Sequence, residues 1–193
     1  MQAAAKKQDK FTYADYLTWD DSERWEIING VAYNMSPAPN TKHQSISWEV
    51  SKQIGNFLDK SDKPCMAFHA PFDVRFPEGV LDNNKIIDVV QPDIVVICDT
   101  SKVDENGCHG APDFIIEILS PATAHKDYEI KKALYEKNGV KEYWIIDPTH
   151  SIVIVYLLED PGKYGRPSIH AGKGRLEVKH LTELYIDLDL VFR

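Results

Sequence analysis

The sequence has no long hydrophobic run. Its densest apolar stretches are short, as in Ile94-Val95-Val96-Ile97-Cys98, against the roughly 20 apolar residues that a membrane-spanning helix needs. Met1 to Lys10 is polar and lacks an apolar core, so neither a signal peptide nor contact with a membrane is expected. Cysteine is scarce too. Cys65, Cys98 and Cys108 are odd in number and form no Cys-x-x-Cys pair, which points away from a disulfide framework and from a thiolate zinc site. A reducing cytoplasm is the setting this predicts. The seven histidines show no His-x-x-x-His spacing. No Gly-x-Ser-x-Gly elbow accompanies Ser120, and no phosphate-binding glycine loop is present. Basic charge is also short: 22 Lys and Arg face 30 Asp and Glu, for a net charge of −8. Proteins that wrap nucleic acid electrostatically cluster Lys and Arg. A nuclease is still compatible with this balance, because bound metal offsets carboxylate charge.

What is present describes one ordinary folded domain. The 193 residues are 43% hydrophobic and 27% charged, enough to bury a core without staples. A polar arm over residues 1–10 and a single domain over 11–193 are expected. Thr12 reads as the cap of a short helix, and Asn29-Gly30 between β-prone runs reads as a hairpin. Ser36 to Pro39 breaks the chain. Helical spacing predicts helices over Thr41–Asp59 and Asp127–Asn138, the second stopped by Gly139. Alternation predicts a half-buried strand over Phe72–Phe76. Denser runs predict covered strands at Ile94–Cys98 and Phe114–Leu119. Tyr143–Ile146, Ile152–Leu158, Leu176–His180 and Ile186–Phe192 complete the strands. The fold class is therefore α/β or α+β, a mixed sheet flanked by two substantial helices.

Glu117 is the chemical anomaly. A carboxylate inside Phe114-Ile115-Ile116-Glu117-Ile118-Leu119 is costly unless paired, hydrogen-bonded or bound to a cation. It either serves a site or pairs with a buried Lys or Arg. Asp93, after Pro92 at a strand head, is either turn chemistry or a second carboxylate converging on the same sheet end. Two such oxygen ligands suit Mg²⁺ or Mn²⁺. Lys131 either stabilises developing phosphate charge or makes a surface i, i+4 pair with Asp127. Lys132, about 100° further round a helix, points elsewhere. Gln44 either reaches the same sheet end or sits on solvated helix surface. His43 is expected near the helix cap, and His125 is a loop histidine close to the site. Trp25, Tyr135, Tyr143 and Trp144 are expected in the core or a subunit contact rather than in a base-stacking platform.

In order along the chain stand Glu26-Ile27-Ile28-Asn29-Gly30, Met35-Ser36-Pro37, His43-Gln44, Gln91-Pro92-Asp93-Ile94, Ala111-Pro112-Asp113, Glu117-Ile118-Leu119-Ser120-Pro121, Asp127, Lys131, Tyr135, Gly139-Val140 and Glu142 to Pro148. This series resembles the Uma-two-type endonucleases, a domain-of-unknown-function family of the PD-(D/E)XK nucleases. The resemblance implies a restriction-endonuclease-like mixed central sheet flanked by helices. It implies Asp93 and Glu117 as acids holding Mg²⁺, or Mn²⁺, for hydrolysis of DNA phosphodiester bonds. The usual lysine two residues after the second acid is replaced by Leu119, and Lys131 matches the family's lysine from the following helix. Glu26 matches a further acid, as an additional ligand, a water-orienting group or simply a hairpin-edge residue. By analogy with enzymes that cut both strands, a homodimer is expected. The alternative is an inactive nuclease-fold module that binds nucleic acid or a protein partner.

Overall fold

The computed structural model describes residues 10–20, 23–35, 39–121, 123–160 and 162–193. All but Lys10 of the expected polar arm, and Ser36 to Ala38 of the expected break, lie outside these. Helix α1 (Tyr13–Tyr16) opens with a capping box in which Thr12 and Asp15 satisfy each other's backbone N–H. Strands β1 (Trp25–Ile28) and β2 (Val31–Asn34) are joined by Asn29 and Gly30 at φ of 52° and 78°, the left-handed pair a tight hairpin needs. Helix α2 (Thr41–Leu58) starts at Asn40, whose side chain accepts from the His43 N–H, and buries Ile46, Val50 and Ile54.

Strands β3 (Met66–His69), β4 (Val74–Arg75), β5 (Val89–Val90), β6 (Ile94–Ile97), β7 (Val103–Asp104), β8 (Gly107–His109) and β9 (Phe114–Ile118) follow. A π turn (Lys126–Lys131) then runs into α3 (Lys132–Asn138), which Gly139 ends at φ 80°. Last come β10 (Glu142–Asp147), β11 (Ile152–Asp160), β12 (Lys163–Tyr164), β13 (Ser168–Ala171), β14 (Arg175–Glu177), β15 (Tyr185–Asp187) and α4 (Leu188–Val191). The strands divide between a six-stranded sheet ordered β2-β1-β5-β4-β8-β7 and a seven-stranded sheet ordered β12-β11-β10-β9-β6-β3, in which β13 also pairs β11; β14 and β15 pair separately. The larger sheet is mixed: β9 runs parallel to β10 and antiparallel to β6. A parallel pair needs a crossover, and the π turn and α3 supply it.

Alternation along β9 decides where the site lies. Phe114, Ile116 and Ile118 pack with Ile46, Val50 and Ile54 of α2. Ile115 packs on the other side with Leu134 and Tyr135 of α3. Glu117 shares the parity of Ile115, so its carboxylate is delivered to the crossover rather than to α2.

Several expectations change. The Phe72–Phe76 strand contracts to Val74–Arg75, where Arg75 is buried against Asp104. The expected strand over Ile186–Phe192 stops at Asp187, whose side chain caps α4. Cys65 and Cys98 are joined as a disulfide, contrary to the reading that the cysteines stay unpaired. Met66 faces Ile97 across β3 and β6, so the next residues outward come together. This also removes the cysteine argument for a reducing compartment. Tyr143 and Trp144 are fully buried within one chain, so of the two places expected for them they take the core and not a subunit contact.

Candidate active site

Glu117 lies at the end of β9, one register step beyond the pair Ile94 and Ile116 and therefore opposite Asp93. Its Oε1 accepts from Lys131 Nζ at 2.8 Å and from Tyr135 Oη at 2.7 Å. Lys131 Nζ also meets Glu26 Oε1 at 2.7 Å and Asp127 Oδ1 at 3.8 Å. Glu26 is fixed in turn by Lys126 Nζ at 2.5 Å on Oε2 and by the Gln91 N–H at 3.0 Å on Oε1. Asp93 Oδ2 accepts the Ile118 N–H at 2.7 Å and lies 3.2 Å from His43 Nε2. The structure thus brings Glu26, Glu117 and Lys131 into one ion-paired cluster, with Asp93 beside it. Glu26 is 0% exposed, Lys131 2% and Glu117 3%, which rules out the solvated hairpin-edge and surface-pair readings.

The π turn explains why two lysines meet one carboxylate. Five residues of α-helix rotate about 500°, leaving Lys126 and Lys131 about 140° apart. Hydrogen bonding from i to i+5 winds the turn more loosely and narrows that angle, so both ammonium groups reach Glu26. Lys132 turns away, with its ammonium 5.5 Å from the Tyr156 ring. Gln44 is exposed on α2. Lys126 falls just before the helix predicted from Asp127, so the sequence reading missed it, and nothing in the local pattern marks a π turn.

Burial dominates the electrostatics. It pushes the Glu117 carboxyl up to about 8 despite the nearby Lys131 charge. Burial also raises Asp127, whose Oδ1 has no hydrogen bond. Glu26 is buried as deeply, yet the charges of Lys131 and Lys126 hold it below the ordinary carboxylate range. Burial works to lower Lys131, but Glu117, Glu26 and Asp127 carry it well above an ordinary amine. For His43 burial is outweighed by the hydrogen bond and charge of Asp93, and its pKa rises above the usual 6.5.

A cavity of about 540 Å³ opens on these groups and is lined by Asp93, Glu117, Lys131, His43, Lys126 and Asp127 among others. The donor set fits a hard divalent cation. Asp93 Oδ1 and Glu117 Oε2 accept no hydrogen bond from the described residues, while their partner oxygens are fixed by Ile118, Lys131 and Tyr135. Among the described residues no three His, Cys, Asp or Glu side chains form a ready metal cluster. The fit is therefore to an ion such as Mg²⁺ or Mn²⁺ that keeps several waters, not to a full protein cage.

A family profile, Uma2, described as "Putative restriction endonuclease", matches residues 13–190. An uncharacterised protein of Synechocystis sp. is 26% identical over 187 residues, covering 95% of this chain and 92% of that protein. A crystal structure from Anabaena variabilis, described as "a putative nuclease belonging to DUF820", superposes with a TM-score of 0.73 at 24% identity, covering 94% of this chain and 97% of that chain. At that identity the likeness establishes a shared fold.

Proposed function

Because the chain belongs to the Uma2 family of restriction-endonuclease-like proteins, we propose that it is a metal-dependent nuclease hydrolysing DNA phosphodiester bonds at the cavity beside Asp93 and Glu117. One observation carries this reading: Glu117, buried in β9, meets a buried lysine beside a second carboxylate on the neighbouring strand, all lining one cavity. A divalent ion held by Asp93 and Glu117 would supply Lewis-acid polarisation and water activation. Lys131 keeps its proton well above the ordinary amine range, so it acts as a fixed positive donor toward developing phosphate charge and not as a base. Glu26 holds that ammonium and the Lys126 ammonium in place. The Tyr135 hydroxyl fixes the rotamer of Glu117, and His43 does the same for Asp93.

The test is cleavage of supercoiled, linear and single-stranded DNA with Mg²⁺, Mn²⁺ or EDTA. Wild type should cut only with metal. Glu117→Gln and Asp93→Asn, folded by circular dichroism, should each lose about 100-fold or more. Full activity in either variant would sink the site assignment, and no cleavage of any form would sink the hydrolase reading.

A further inference from the structure

From the shape and charge of the cavity we infer that its substrate is an unpaired DNA strand, one nucleotide of which enters the cavity, and not an intact duplex. This rests on the hydrolytic reading above. The reacting groups are at most 3% exposed apart from Asp93, whose side chain is 20% exposed. A phosphate must therefore come into the cavity, not lie across its mouth. The volume of about 540 Å³ falls in the range of roughly 300–1,000 Å³ that encloses a small-molecule ligand, which is the scale of one nucleotide. In a duplex each phosphate is tied to a stacked, paired nucleotide. Enzymes that work inside such pockets act on single strands or extrude the nucleotide at a cost.

The cations point the same way. Arg24, Lys126 and Lys131 line the cavity against Asp93, Glu117 and Asp127. Lys126 and Lys131 are committed to Glu26 and Glu117. Arg24 has a neutral partner, donating from Nε and Nη2 to Gln91 Oε1 at 2.9 and 2.7 Å, and meets no carboxylate among the described residues. Among the described residues this leaves one guanidinium of the cavity without a carboxylate, which suits one phosphate, whereas gripping a duplex tract takes several. The rest of the wall mixes polar side chains, such as Asn34, Asn40 and Thr123, with the apolar and aromatic surface of Tyr33, Met35, Pro39 and Ile130. Such a wall offers contact to a splayed base and sugar, and a base still paired in a helix cannot reach it.

The experiment presents one labelled DNA sequence as a single strand, as an intact blunt duplex and as a duplex with a central unpaired bubble. Binding is read by fluorescence anisotropy in EDTA, and cleavage with Mg²⁺ and with Mn²⁺. The single strand and the bubble should be bound and cut at least about tenfold better than the duplex. Tyr33→Leu and Arg24→Met should each weaken single-strand binding about tenfold, while Tyr33→Phe retains it. Unchanged circular-dichroism melts separate these losses from misfolding. A duplex bound and cut as well as the single strand overturns the inference and leaves the hydrolase reading intact. No cleavage of any form overturns the hydrolase reading. The binding arm then decides the inference alone: preference for the single strand supports it, and equal or absent binding overturns it.

Discussion

Three carboxyl groups, Glu26, Glu117 and Asp127, share two ammonium groups, Lys126 and Lys131, in a largely buried cluster at the cavity wall. Charge balance in a low-dielectric pocket leaves one carboxyl protonated near neutral pH. Glu117, pushed up to about 8, is the group that keeps it. Since the ionised form is the ligand, divalent binding must displace this proton below about pH 8. Metal affinity should therefore rise with pH, by up to about tenfold per unit, and level off above about 8. Calorimetry near neutral pH in buffers of differing ionisation enthalpy should show about one proton released per ion bound. Binding without proton release would remove Glu117 from the ligand set. His43 makes a second, opposite-signed case. Its folded pKa is raised, so the stability it contributes is full below the unfolded 6.5 and is lost as pH rises through the folded value. His43→Ala should cost about 1–3 kcal/mol near pH 5, and less near pH 9. Asp93→Asn should lower the His43 titration in the NMR spectrum. A midpoint unmoved by that change would mean that Asp93 does not hold the imidazole.

At the scale of elements, the π turn carries both lysines of the site. Leu134 and Tyr135, buried in the core, keep α3 and Lys131 anchored. Removing exposed Glu129 takes out the extra residue and lets the turn relax to an α-helix, which leaves Lys126 and Lys131 four residues and about 40° apart, so both still reach Glu26. The deletion should therefore retain the helical circular-dichroism signal and cleave within about tenfold of wild type, while Lys126→Met should lose about 100-fold, the scale at which small displacements of catalytic groups are felt. Activity close to wild type in Lys126→Met would show that the Lys126–Glu26 pair is not needed. This turn also marks the limit of what the sequence discloses. Apolar spacing predicts one helix over Asp127–Asn138, and its second half is α-helical because Leu134 and Tyr135 must reach the core, while its first half is the π turn. That spacing could not register one extra residue per turn. The hairpin was legible because Asn29-Gly30 carries its own backbone preference. The C-terminal strand was misjudged because Asp187 as a helix cap outweighs a β-like run of Leu and Val. Glu117 was legible as a buried acid because isoleucines flank it, but Glu142, behind Lys141 at the head of β10, gave no such sign and is buried as completely. Its two oxygens are taken up by the Trp144 indole and the His180 N–H, a purely structural solution. Only tertiary contacts separate the two glutamates.

For the whole molecule, the net charge of −8 has to be reconciled with a polyanionic substrate. Most basic side chains cannot form a track for DNA if they are already committed, and several of those near the cavity are: Lys126 and Lys131 hold carboxylates, and Lys42 donates to the Pro148 carbonyl. The cavity sets three Lys or Arg side chains, Arg24, Lys126 and Lys131, against three carboxyl groups, Asp93, Glu117 and Asp127, with His43 and His125 beside them. Long-range attraction thus contributes little, and a substrate is gained by short-range contacts with one or a few phosphates and by packing of the nucleotide. This has a measurable signature. Each neutralised phosphate of a single strand contributes a slope of about −0.7 to log K against log salt concentration, so one to three contacts give about −0.7 to −2. A protein gripping six to ten phosphates of a duplex would instead show a slope of about −5 to −9. Anisotropy titrations of a labelled single strand across salt concentrations, at constant metal, should fall in the shallow range. Arg24→Met should reduce the magnitude by about 0.7, the share of one phosphate. A steep slope, unchanged by Arg24→Met, would place the electrostatic grip on lysines outside the cavity and make the duplex an admissible substrate again.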